Sequence, residues 1–68
     1  MKNDITETLE KMIDQHGLLH VITGLDCVCT EKAMHIRENW QDNQTAKIWD
    51  KASNALYTCA TKIENLNL

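Results

Sequence analysis

Between Leu18 and Trp40, apolar side chains fall at Leu18, Ile22, Leu25, Cys29, Ala33, Ile36 and Trp40, in steps of 4, 3, 4, 4, 3 and 4. That spacing keeps one side of an α-helix apolar along its whole length, and a seam of this kind has to be covered by another helix. Val21 and Val28 widen it. The chain has no proline and no phenylalanine, so nothing breaks a long helix and few side chains favour a sheet.

A matching seam follows. Ala46, Trp49, Ala52, Leu56, Cys59, Ile63 and Leu66 recur at steps of 3 and 4, with Trp49, Leu56 and Ile63 seven residues apart. Asp42 or Asn43 is placed to cap its first turn, since either side chain accepts a backbone N–H there. The two segments, about 18–40 and about 43–65, are separated only by the turn in NWQDNQ. A link that short makes two helices antiparallel neighbours. Reflection about the turn sets Ile36 against Trp49, Ala33 against Ala52, Cys29 against Leu56, Leu25 against Cys59 or Ala60, Ile22 against Ile63, and Leu18 against Leu66. Leu18, Ile22, Leu25, Cys29, Ile36, Leu56, Cys59 and Ile63 are therefore the expected hairpin core. Trp40 and Trp49 are expected to close its turn end; the competing reading makes them an aromatic binding patch.

A shorter helix, about 4–16, is expected before these two. Asp4 and Glu7 have the spacing of a capping box, and Ile5, Leu9, Met12 and Ile13 form one stripe. Gly17 is expected to end this helix in the left-handed helical conformation, with Leu18 turning back onto Ile13. Gly24 lies inside the second helix at a cost of about 1 kcal/mol relative to alanine. Its expected use is a close approach by another helix.

The fold class is thus all-α: a single domain over 1–68, a long antiparallel hairpin with the short N-terminal helix folded against it. A core this small supplies no more than about 3–5 kcal/mol alone, and the first helix covers only part of the seam. A homodimer with a four-helix core is therefore expected. Ile5, Leu9, Met12, Met34, Trp40 and Trp49 are the candidates for its contacts or for those of another protein.

Few residues point to chemistry. Cys27 and Cys29 are two apart and face different ways on a helix, whereas zinc ligands are usually spaced by two or more residues on a turn. Cys29 and Cys59 read as small core residues. On the outer side Cys27, Glu31 and His35 stand at i, i+4 and i+8, with His20 seven residues before Cys27. This line is the basis of an alternative, a metal- or thiol-dependent sensor, but one helix offers too few convergent ligands without a second copy. No serine–histidine–aspartate set and no glycine-rich phosphate loop is recognisable. The chain is expected not to be an enzyme and to need no cofactor.

The formal charge is −3, and the basic residues are scattered. Arg37, Lys47 and Lys51 near the turn alternate with Glu38, Asp42 and Asp50. Nucleic-acid binding needs a basic stripe, so a nucleic-acid regulator is a disfavoured third reading. No apolar run approaches a membrane span, and the polar start does not read as a signal peptide. Three cysteines, an odd number, fit free thiols in a reducing cytoplasm.

The stretch from Cys29 to Leu56 carries Cys-x-Glu-Lys-Ala, His-Ile-Arg-x-Asn-Trp and Thr-Ala-Lys-x-Trp. In these pieces it resembles small uncharacterised helical proteins of bacteria and their phages. The resemblance covers under half of the chain. It implies a small cytosolic helical protein without an assigned activity, and it transfers no functional residue. The function expected from all of this is a non-enzymatic interaction or regulatory module acting as a homo-oligomer.

Overall fold

The computed structural model describes residues 4–67. Three α-helices follow one another: α1 (Asp4–His16), α2 (Leu18–His35) and α3 (Asn43–Glu64). A π-helical turn, Ile36–Trp40, extends α2. Among the described residues there is no strand.

Local chemistry accounts for the boundaries. Asp42 caps α3: its carboxylate accepts the Thr45 backbone N–H at 3.1 Å and the Thr45 hydroxyl at 2.6 Å. α1 already includes Asp4 as a helical residue, so Asp4 is not the cap that its spacing to Glu7 suggested. Residues 1–3 lie outside the described residues. α3 gives way after Glu64 to a turn through Asn65, Leu66 and Asn67, with Asn67 at φ 57°. Leu66 sits in that turn and is exposed, so it does not extend the seam to meet Leu18.

Gly17 is the one residue between α1 and α2. Its N–H donates to the Ile13 carbonyl at 2.7 Å, and its own carbonyl accepts from the Val21 N–H at 3.2 Å. One residue thus ends one helix and starts the next. Its φ of 88° is positive as expected, but its ψ of 153° is far from the left-handed helical value of about 47°. A helix-starting residue needs extended-type ψ, and Gly17 must serve that role because α2 begins at Leu18. The combination belongs to a region that is essentially reserved for glycine.

That junction also decides where α1 goes. Antiparallel helices need a loop of about 2–5 residues between them, and one residue cannot bring α1 back along α2. Among the described residues α1 touches α2 alone and makes no contact with α3. The short N-terminal helix that was expected to fold against the hairpin and cover part of its seam therefore meets α2 only, as an arm joined to it at Gly17. The Cα radius of gyration is 14.0 Å, against about 11 Å for a compact domain of this length.

α2 and α3 make the main packing. Near the turn Arg37 pairs with Asp50 and Lys32 lies over Trp49; farther from it Thr30 and Asp26 both meet Ser53, as two helices running in opposite directions require. The buried side chains are small: Val21, Cys29, Ala33, Ala46 and Ala60. Ala46 is 0% exposed and lies at the turn end, where alanines let the backbones close up. Leu18, Ile22, Ile36, Trp49, Leu56, Cys59 and Ile63 are half-buried around them.

Leu25 departs from the expected core and is 42% exposed. The neighbouring Asp26 turns inward instead. Its carboxylate accepts a hydrogen bond from the Ser53 hydroxyl, and Thr30 Oγ1 lies 3.1 Å from Ser53 Oγ. Positions 25 and 26 both adjoin Cys29 on the helix surface, and the hydroxyls opposite favour the carboxylate. A short polar layer therefore interrupts the apolar seam and holds the register of the two helices. Gly24 meets no close approach within the chain: a Cβ placed there would find nothing within 4 Å.

Two substitutions test these points. Gly17→Ala places a side chain in the glycine-only region and should cost about 1–3 kcal/mol in urea-induced unfolding; unchanged stability would show that the junction relaxes. Ser53→Ala removes one partner of Asp26 and should cost about 1 kcal/mol by the same measurement.

Candidate functional site

The exposed side of α2 carries the site. Near the kink, Met12 and His16 of α1 face His20, Val21, Leu25 and Val28 across a groove of about 440 Å³. Farther along α2, Val28 also borders a second hollow of about 500 Å³ with Glu31, Lys32, His35, Ile36 and Trp49. Val28 joins the two, so one shallow trough follows α2 from the Gly17 kink to the π turn. Its floor near the kink is largely apolar, and its far end carries charges.

The π turn shapes that far end. Closing i to i+5 adds a residue to the turn, so Trp40 no longer falls over Ile36 as an unbroken α-helix would place it. Trp40 is thrown outward and is 72% exposed, which corrects its expected place closing the seam. Trp49 stays half-buried, with the Lys32 ammonium 5.5 Å from its ring centroid. A cation over an indole face contributes roughly 0.5–1 kcal/mol at an exposed position. Asn39 is the side chain that fits the widened turn. Its Nδ2 donates to the His35 carbonyl at 3.0 Å and also lies 3.0 Å from His35 Nδ1. With Nδ2 as donor, Nδ1 accepts and the ring proton sits on Nε2. Gln41 then takes φ 53°, the left-handed conformation that ends the turn without a glycine. Arg37 and Asp50 form a 2.8 Å ion pair beside it, with both side chains more than two-fifths exposed, so the pair contributes at most about 1 kcal/mol.

The candidates of the outer line are distributed along the trough. His20 borders its apolar end, and Glu31 and His35 its charged end. Cys27 is an exposed free thiol, and Cys29 and Cys59 are also free. Among the described residues no group of three histidine, cysteine, aspartate or glutamate side chains converges as a metal would require. His16 and His20 come together across the kink, with ring centroids 6.4 Å apart.

The contact candidates are open. Ile5 is 71% exposed, and Leu9, Met12 and Met34 are exposed as well. Ile48 and Tyr57 on α3 join them and were missed. Their signal was present: both are large side chains that fall outside the seven-residue repeat of α3. Among the described residues no helix is long and apolar enough to cross a membrane. Compared with protein-family models, curated proteins and solved structures, the chain matches none.

The turn end offers a pH test. The hydrogen bonds from the Thr45 hydroxyl and backbone N–H hold the Asp42 carboxyl below its ordinary value. A lowered folded pKa contributes stability that is complete above the unfolded aspartate pKa of about 3.9 and is lost as pH falls through the lower folded value. Amide exchange at Thr45 should therefore accelerate, relative to mid-α3 amides, in that acid window. Asp42→Asn should remove this pH dependence while keeping an acceptor for the cap.

Proposed function

We propose that this chain is a non-enzymatic interaction module whose working form is a homodimer of α2–α3 hairpins with their α1 arms. The observation that carries this is surface area. A folded monomer of 7.8 kDa exposes about 4,400 Å², and this chain exposes 5639 Å². The surplus of about 1,200 Å² exceeds the roughly 800 Å² that each partner gives up in a standard interface.

The surplus is apolar where it matters. Ile5, Leu25, Met34, Trp40, Ile48 and Tyr57 are all exposed, while among the described residues the buried core holds nothing larger than valine. Burying a large apolar side chain contributes about 1.5–3 kcal/mol, so association supplies stability that the single chain lacks. Twofold symmetry is the simplest way to cover the same surface on two copies. The troughs along α2 are shallow, and no nucleophile in them lies beside a base, which supports binding rather than catalysis. Three free thiols fit the reducing cytoplasm expected from the cysteine count.

Native mass spectrometry of the untagged protein tests the reading. A dimer without added mass is the expected result, and its thermal midpoint should rise with protein concentration, as linkage to association requires. A monomer with a concentration-independent midpoint overturns it.

A further inference from the structure

We infer that the α1 arm of one copy lies in the apolar trough of a second copy, reciprocally, so that the dimer is closed by exchanged arms. This rests on the homodimer reading and names the surfaces that make it.

Four observations lead here. The arm exposes Ile5, Leu9 and Met12, and the trough is lined by Val21, which is buried at its edge, with Leu25 and Val28 exposed beside it. Both sets are spaced at i, i+4 and i+7, so the two stripes have the same length, about 10 Å at the α-helical rise. The arm cannot lie antiparallel on its own α2, because a single residue, Gly17, joins them and such a hairpin needs about 2–5. Finally, Gly24 lines the trough between Val21 and Leu25, and beyond its own helical turn nothing lies within 4 Å of where its Cβ would be. A helix from another chain gives that glycine a use, since its missing side chain lets a second backbone come close.

Exchange satisfies both faces of each chain at once. Each copy gives one arm and receives one, so the interface closes on itself and leaves neither stripe wet. The surplus of about 1,200 Å² per chain exceeds the roughly 800 Å² that each partner gives to a whole standard interface, given and received arm together. Leu9 and Leu25 are the middle residues of their stripes. They meet whichever way the arm runs along α2.

Complementation tests this contact. Leu9→Lys and Leu25→Glu each place a charge against an apolar partner at both contacts of a homodimer. Both leucines are exposed in the chain itself, so each variant should keep its helicity in circular dichroism while losing the dimer. Mixed together, the two variants should form a heterodimer, identified by its mass. That species has one intact Leu9–Leu25 contact and one Lys–Glu pair.

Variants that remain dimeric alone overturn the arm exchange and leave the homodimer reading standing, with another face as its interface. Variants that are monomeric alone and stay so when mixed also overturn it. A wild-type chain that is monomeric throughout the micromolar range removes the homodimer reading itself. A mutation-free measurement covers the case in which a variant unfolds. In a dimer mixed from isotope-labelled and unlabelled wild-type chains, interchain contacts between Leu9 and Leu25 methyl groups are expected, and contacts found only within one chain overturn the exchange.

Discussion

The packing of α2 on α3 through small side chains is the constraint on which everything else depends. Among the described residues, Ala33, Ala46 and Ala60, with Cys29 and Val21, are the ones that the chain truly buries. Small side chains let two helices approach, but each contributes little apolar area. The larger leucines, isoleucines and Trp49 therefore sit around the contact, half-covered. The helices are brought together without the hydrophobic stabilisation that a filled core supplies.

Two further features follow from that thin seam. A polar layer of Asp26, Ser53 and Thr30 is tolerated within it, because water still reaches its edges. Such a layer adds little stability but opposes sliding of one helix along the other, since any shift leaves the carboxylate without its hydroxyl. The same thinness leaves α2 with a second apolar side. Leu25 and Val28 stay exposed along a trough that Met12 and His16 of α1 border at the Gly17 end. The single glycine between α1 and α2 leaves no loop that would let the rest of the arm fold back along it.

Much of the helical layout was legible in the residues. Periodicity and capping act within one or two turns, so the positions of the three helices, the cap at Asp42 and the punctuation at Gly17 could be read locally. The phase of the seam was legible for Cys29, Ala33, Ile36, Leu56 and Ile63 and failed at Leu25. There two adjacent residues compete for one inward position, and Ser53, on a distant part of the chain, decides between them. Trp40 failed for a different reason. The expectation assumed 3.6 residues per turn throughout, and one widened turn was enough to carry the ring from the seam to solvent. The exposed stripe of α1 was recognised, but the partial cover it was expected to give the seam overlooked how little reach a one-residue link allows.

By itself, the sequence determined that this protein is helical, where its helices begin and end, and which of their faces are apolar. Those properties depend on neighbours a few residues away. Only the tertiary structure decided which apolar face α2 turns to α3, where the arm points and which rings remain in water. Those depend on a hydroxyl across the seam, on the ψ of one glycine and on an added residue in one turn, each a choice between near-equal local alternatives that distant contacts or backbone geometry resolve.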